Sequence, residues 1–369
     1  MSDNITPDEA AGWGPRGTAG VSFAAGIAFD AVDVRLGGRA VLDKFTLTLT
    51  PGEVVCLLGE SGSGKSTVLR VAAGIQPIQG GVVRINNEVV SSPTIQVPPD
   101  RRGIGLMFQD FALFPHLSVL HNVTFGLKRL GRSAAVTQAR AALKRVGLED
   151  RENDYPHMLS GGQQQRLALA RTIAPRPGVI MLDEPFSSLD ARLRESVRGE
   201  TLAVLRETNA TTIIVTHDPE EAMLLGDRIA LLRKGRIAQI DTATAIYNRP
   251  VDLNAARFFS PLSEIETRVS DGFAQTPLGP VPVSGPGRGE KVVVALRPVG
   301  ALDMALEGPG VPGRIIGKRD AIGVDIYEVK VSGLDRPIGI RQRSNAEILP
   351  GRDVFLTLNP DHVLVFPAD

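Results

Sequence analysis

The segment from Glu53 to Thr67 constrains the fold more than any other stretch of the chain. Glu53-Val54-Val55-Cys56-Leu57-Leu58 is a short apolar run that suits a buried strand. It leads directly into Gly59-Glu60-Ser61-Gly62-Ser63-Gly64-Lys65-Ser66-Thr67, which fits G-x-x-x-x-G-K-[ST], and then into a helical stretch, Thr67 to Ala73. Glycines let the backbone wrap around an anion without Cβ clashes, and successive N–H groups at a helix N-terminus form a nest for phosphate. In such a loop Lys65 brings a point charge to the outer phosphates and the Ser66 hydroxyl is placed to bind Mg²⁺.

The rest of the first 250 residues agrees with a strand–loop–helix sheet. Ala28 to Val34 and Phe45 to Leu49 alternate with period two. Val179 to Leu182 and Thr211 to Thr216 read as buried strands, followed by helices over Leu193 to Glu207 and near Pro219 to Leu225. Between them, Val136, Ala139, Leu143 and Val146 fall at helical spacing, with Ser133 as a cap and Gly147 as a stop. Strands alternating with helices predict a mostly parallel α/β sheet. Cys56, the single cysteine, reads as a small buried hydrophobe, and one cysteine permits no internal disulfide.

Four further groups carry chemistry. Asp183 follows the strand Val179 to Leu182, where a phosphate loop needs an acid to anchor a metal, and Glu184 comes next, where a carboxylate can face an attacking water. Gln109 follows Gly105-Leu106-Met107-Phe108, and its amide either reaches a metal or sits in a turn. Leu159-Ser160-Gly161-Gly162-Gln163 precedes a helical run from Gln164 to Thr172. Ser160 is an N-cap there, and two glycines expose backbone N–H groups. His217 ends the strand that begins at Thr211, and ligand groups of parallel sheets gather at such carboxyl ends. A lone histidine in such a place is more often structural.

Taken in order, the phosphate loop, Gln109, Leu159 to Gln163, Asp183-Glu184, Ser188-Leu189-Asp190 and His217 closely resemble the ATPase subunits of ATP-binding-cassette (ABC) transporters, over about residues 28 to 250. The resemblance implies a P-loop ATPase domain over 27–260 with a helical subdomain at about 112–175. It makes Gln109 the Q-loop glutamine, Glu184 the catalytic base and His217 the histidine that contacts the γ-phosphate. Ser66, Gln109 and Asp183 would hold Mg²⁺. Ser160, Gly161, Gly162 and Gln163 would close over ATP bound by a second subunit, and Ser188, Leu189 and Asp190 would link the two sites. One loop and one signature per chain then imply a homodimer. The family usually stacks an aromatic residue on adenine before the first hairpin. Here Leu36 stands in that place with Val41 against the base, so either Phe29 substitutes or base selectivity is relaxed.

Near residue 270 the composition changes. Residues 271 to 290 hold five Gly and four Pro, and short β-type runs follow at Lys291 to Leu296, Val324 to Val331, Val354 to Leu358 and Val363 to Phe366. This reads as a small all-β barrel or sandwich over 261–369. Val294 to Pro298 and Gly351 to Phe366 resemble the regulatory barrel-like extension of importer ATPases for maltose, polyamines and ferric iron, with Val299 replacing the usual acid after Arg297-Pro298. Tyr155-Pro156-His157 and Ala174-Pro175-Arg176-Pro177 look most like the ferric-iron importers.

The 41 basic and 41 acidic residues cancel, which speaks against a surface given over to nucleic acid. The chain has no run of ~18 apolar residues. Residues 1–26 read as a loose leader without the cationic and apolar regions of a secretory signal. Any membrane role must therefore come through a partner, and the resemblance implies a setting at the cytoplasmic face of the inner membrane, held by two integral-membrane permease subunits that are served by a solute-binding protein. Two other classes fit less well. A soluble ABC ATPase acting on DNA would carry a long coiled coil between Gln109 and Leu159, and no heptad run fits there. A GTPase switch would carry Asn-Lys-x-Asp, which is absent. Another small solute, a polyamine, sugar or sulfate, remains the alternative to ferric iron.

Overall fold

A computed structural model describes residues 24–283, 287–321 and 323–368. Residues 1–23 of the expected leader lie outside them. The chain divides into two compact units, Met1–Ile246 and Tyr247–Asp369.

The first unit is built on two sheets. β1 (Ile27–Leu36), β2 (Arg39–Leu49), β4 (Gly80–Ile85) and β5 (Glu88–Ser91) form an antiparallel sheet in the order β2-β1-β4-β5. The second sheet has the order β10-β9-β3-β8-β7-β6. Its members are β3 (Val54–Leu58), β6 (Ile104–Met107), β7 (Val179–Asp183), β8 (Thr211–Thr216), β9 (Arg228–Arg233) and β10 (Arg236–Asp241). All of these pair in parallel except the β9–β10 hairpin. The helices of the unit are α1 (Lys65–Ala72), α2 (Val119–Thr124), α3 (Arg132–Arg145), α4 (Gly161–Ile173), α5 (Ala191–Thr208) and α6 (Pro219–Leu225). Helices α2, α3 and α4 pack on one another.

One apolar cluster joins both sheets to α1, including Phe29, Phe45, Leu57, Val68, Met181 and Ile213, each buried. Burying side chains of this size stabilises by roughly 1.5–3 kcal/mol each. Phe29 stacks edge-on against Phe45 at 5.3 Å and has no exposed surface. It cannot meet a nucleotide base, which corrects one of the two expectations for adenine contact. The cap of α3 is also corrected. Gly131 occupies the N-cap with no side-chain bond, and Ser133 lies inside the first turn, where its carbonyl accepts from Thr137. Cys56 is fully buried in β3, and that burial pushes its thiol far above the ordinary range.

The second unit opens on the end of α7 (Ala243–Asn248) and on α8 (Leu253–Phe259), whose Leu253 and Ala256 pack with Ala295 and Phe366. It contains two antiparallel five-stranded sheets. The first is β13 (Gly279–Pro282), β12 (Phe273–Thr276), β11 (Ser263–Ser270), β14 (Lys291–Leu296) and β20 (Val363–Pro367) in that order. The second is β15 (Leu302–Ala305), β19 (Asp353–Leu358), β16 (Val311–Ala321), β17 (Val324–Val331) and β18 (Ile338–Arg343). Residues of both sheets share one apolar core around Val294, Ile315, Tyr327 and Leu356. Much of the Gly/Pro-rich stretch is folded here as the β11–β12–β13 meander. Gly272 and Gly279 supply positive φ angles at its two turns, so the breakers encode tight turns. Among the described residues, no helix is long and apolar enough to cross a membrane.

Candidate functional site

The parallel register sets the site. Leu58 pairs with Thr216, Asp183 with Val215, and Met107 with Leu182. The carboxyl ends of β3, β6, β7 and β8 are therefore level, and the residues just beyond them are Gly59, Gln109, Glu184 and His217.

The loop after β3 has the backbone that phosphate binding needs. Gly62 and Gly64 have φ of 80° and 110°, conformations in which an L side chain is strained. A Cβ on Gly59 would stand 2.4 Å from the carbonyl oxygen of Leu232, and one on Gly64 would stand 2.9 Å from that of Val41. Gly64 is the N-cap of α1 and offers no side-chain bond to it. The first N–H groups of α1 consequently keep their donors for a ligand. The Ser63 hydroxyl is buried without a partner among the described residues. Lys65 is buried, and its ammonium donates to the carbonyls of Gly59 at 2.8 Å and Glu60 at 2.9 Å. Burial pulls its pKa down, while Glu184 and Asp183 pull it back up. A cation held only by neutral carbonyls near two carboxylates is ready to exchange them for phosphate oxygens.

Ser66 donates to Asp183 Oδ1 at 3.2 Å. Burial raises the carboxyl of Asp183 above the ordinary range; the Ser66 hydrogen bond opposes this and the adjacent Glu184 adds to it. Two neighbouring carboxylates beside a hydroxyl, partly buried, form an oxygen donor set that suits a hard divalent cation such as Mg²⁺. The cation would lower the cost of ionising Asp183.

Glu184 is held in a left-handed conformation, φ 44°, by its own N–H donating to Val215 O at 3.0 Å and by Ser187 Oγ donating to its carbonyl at 2.9 Å. Such a backbone costs about 1–2 kcal/mol in a residue with a Cβ. Its carboxylate lies 3.3 Å from Gln109 Nε2 on one side and 3.3 Å from His217 Nδ1 on the other. A groove of about 620 Å³ is lined by Ser66, Arg70, Phe108, Gln109, Asp183 and Ser187, among others. A smaller cavity of about 70 Å³ lies against Glu184, Thr216, His217 and Glu221.

Ser160 caps α4 through a reciprocal box: Gln163 N–H donates to its hydroxyl at 3.4 Å and Ser160 N–H donates to Gln163 Oε1 at 2.9 Å. Gly161 and Gly162 form the first turn. A Cβ on Gly161 would lie 3.7 Å from Leu189 Cδ2, so the signature and the Ser188–Asp190 loop touch within one chain. None of residues 160–163 lines either cavity. Leu36 and Val41 sit on the β1–β2 hairpin, with Val41 against Gly64.

Three contributors carry no sequence signal strong enough to single out. Ser187 bonds both Glu184 and Gln109. Glu221, buried on α6, accepts from the Thr216 hydroxyl at 2.7 Å, and that hydroxyl accepts from Asp218 N–H at 3.0 Å, which fixes the turn presenting His217. The Lys234-Gly235 turn, with Gly235 N–H donating to Ser63 O at 3.1 Å, supports the loop from below. Only the positive-φ Lys-Gly pair between two strands hints at the last.

Fold and site together define a P-loop nucleoside triphosphatase. The profile of the family described as ABC transporter matches residues 42–187. Among curated proteins, the chain is 44% identical over 290 residues to the Fe(3+) ions import ATP-binding protein FbpC of Streptomyces avermitilis, spanning 76% of this chain and 81% of that one. It is 38% identical over 326 residues to Fe(3+) ions import ATP-binding protein FbpC 2 of Rhodococcus jostii, spanning 88% and 89%. Among solved structures it resembles a dimeric ATP-binding cassette in a post-hydrolysis state with ADP and Pi, at a TM-score of 0.52 and 31% identity over 59% of this chain and 98% of the other. The chain belongs to the ATP-binding proteins of the ABC transporter family, enzymes that couple ATP hydrolysis to transport.

Proposed function

We propose that the chain is the ATP-hydrolysing motor of an ABC importer, that it works as a homodimer beneath two integral-membrane permease subunits, and that the solute, delivered by a binding protein, is ferric iron. The observation that carries the motor reading is the meeting of Lys65, Ser66, Asp183, Glu184, Gln109 and His217 at level strand ends. What supports the solute is that relatives at 38–44% identity are named as Fe(3+) importers. The site then faces the cytoplasm, at the inner surface of the membrane.

In this reading the N–H groups of Gly62 to Thr67 cradle the phosphates of ATP. Lys65 leaves the Gly59 and Glu60 carbonyls for the outer phosphate oxygens. Ser66, Gln109 and Asp183 would hold Mg²⁺, which when bound neutralises charge on those phosphates. Glu184, gripped between Gln109 and His217, aligns a water with the γ-phosphorus and takes its proton as the bond to the β-phosphate oxygen breaks. His217 holds the γ-phosphate. Ser160 to Gln163 of a second copy would complete the site, and Ser188 to Asp190 would connect the two. Uptake of labelled ferric iron by cells with and without the intact gene tests the solute. Uptake that depends on the gene supports it; equal iron uptake with loss of polyamine, sugar or sulfate uptake would reassign it.

A further inference from the structure

Two residues past Gln109 the backbone turns left-handed. Phe111 and Ala112 have φ of 61° and 45°, and neither is glycine. A Cβ crowds the following carbonyl oxygen in that region, so two such residues in succession persist only where their surroundings hold them. For a bulky aromatic the conformation is rarer still. Phe111 N–H donates to Phe108 O at 2.9 Å, which closes a turn with Gln109 and Asp110 at its two central positions. The strained pair is therefore the exit of the turn that presents the Gln109 amide to Glu184.

Arg171 holds this exit. Its guanidinium donates through Nη1 to Ala112 O and through Nη2 to Phe111 O, each at 2.7 Å. One planar fork fixes both carbonyls, a geometry that a single ammonium does not reproduce. The guanidinium also lies 5.4 Å from the centre of the Phe114 ring. Its anchor is firm. Arg171 stands in the last turn of α4, and a Cβ on Gly105 of β6 would lie only 2.8 Å from the carbonyl oxygen of the next residue, Thr172. Strand β6 runs directly into Phe108 and Gln109, so the clamp and the loop it grips spring from two elements packed on each other.

We propose that Arg171 is a positioning residue for Gln109: its fork on two strained carbonyls keeps the loop in the conformation that sets the glutamine amide beside Glu184 and near the oxygens of Ser66 and Asp183. The inference rests on the reading of Gln109 above as a group that holds Mg²⁺. Arg171 does not itself line the groove that holds Ser66, Gln109 and Asp183, so it acts through the backbone. Without the fork, Phe111 and Ala112 relax toward ordinary backbone, and the amide that precedes them loses its place. Glycine adopts the left-handed conformation without strain, and Ala112 is exposed, so a glycine there removes the need for the clamp at no cost in packing.

The test is binding of Mn²⁺, a paramagnetic stand-in for Mg²⁺, to the full chain loaded with a nonhydrolysable ATP analogue, read by electron paramagnetic resonance. Arg171→Ala should weaken Mn²⁺ about fivefold, roughly 1 kcal/mol at 1.4 kcal/mol per tenfold. The analogue should bind as before when no metal is present, because the phosphate loop is untouched. Arg171→Lys keeps the charge and the stem but not the fork, and should still lose about threefold. Ala112→Gly placed in the Arg171→Ala chain should recover at least half of the loss. An unchanged Mn²⁺ affinity in Arg171→Ala overturns the proposal; if that chain does not fold, the same result in Arg171→Lys does so. A matching loss of metal-free analogue overturns it too, as does a loss that Ala112→Gly leaves in full, which would make Arg171 a packing residue only. Gln109→Ala is measured beside them. If it leaves Mn²⁺ affinity unchanged, Gln109 does not hold the metal, and that reading falls together with this inference.

Discussion

Arg102 offers a sharp test of how the phosphate-loop helix is held. Its guanidinium is 2% exposed and faces no carboxylate among the described residues. All five N–H donors are used: Nε donates to Val97 O, Nη1 to Val71 O and Ala72 O, and Nη2 to Val90 O and Ser91 Oγ, at 2.7–3.0 Å. Two of these acceptors are last-turn carbonyls of α1, which have no partner within the helix. Burial pulls the Arg102 pKa down to about 10, so it remains a cation at neutral pH and also opposes the helix dipole. The fit is close, since a Cβ on Gly74 would stand 2.5 Å from Arg102 Nε. Arg102→Ala removes five buried hydrogen bonds, but Val71 O keeps the Gly74 N–H and Val90 O keeps the Val97 N–H, so Ala72 O, Val97 O and Ser91 Oγ are the acceptors that lose their donor. At the low end of ~1 kcal/mol for each acceptor left unpaired, the loss is about 3 kcal/mol. For a unit of this size that lowers Tm by roughly 6–12 °C. Arg102→Lys, with three donors at one point, should recover less than half. Calorimetric melts of the three proteins decide it. A Tm shift below about 3 °C for Arg102→Ala would refute the reasoning, because three buried acceptors cannot lose their donor so cheaply.

Two further outcomes are expected. Lys65→Ala should lower ATP turnover by about 10²–10³-fold, the usual cost of removing one preorganised charge from a transition state, and near-normal turnover would remove Lys65 from the phosphates. In the second unit, burial alone would raise the Asp325 carboxyl. Hydrogen bonds from Ser344, Tyr327, Lys318 and the Asn345 N–H outweigh it and hold the group well below the ordinary range. A depressed folded pKa stabilises fully above the unfolded carboxylate value near 3.9 and is lost as pH falls below it. Asp325→Asn should therefore melt below wild type at pH 7, with the gap narrowing below about pH 4. A gap constant from pH 7 to pH 3 would contradict this.

What the sequence made legible is local chemistry. The strand Val54–Leu58, the phosphate loop and the start of α1 lie within twenty residues, and their glycine positions report backbone angles directly. Asp183, Glu184 and His217 were readable because each follows an apolar run, and parallel pairing brings the ends of such runs together. Contacts made across the fold left no trace of that kind. Arg102 reads as one more surface cation beside Arg101 until Val71, Ala72 and Val90 close around it. Glu221 reads as a solvated helix acid until it bonds Thr216. The Ser133 cap failed because a serine before an apolar repeat is a generic start signal, and α3 begins at Arg132, one residue before it. Gly and Pro over 271–290 mark turns whether or not strands run between them. Leu36 alone suggested a deficient base contact.

The central claim is that Glu184 activates water on ATP held between two copies of this chain. The direct measurement is sedimentation of Glu184→Gln with ATP and Mg²⁺, with hydrolysis followed in the same sample. The substitution keeps the shape and removes only the basic carboxylate. The account predicts an ATP-loaded dimer with turnover lowered by about 10²-fold or more. A monomer that retains nucleotide, or a Glu184→Gln chain that hydrolyses ATP at the wild-type rate, would contradict it.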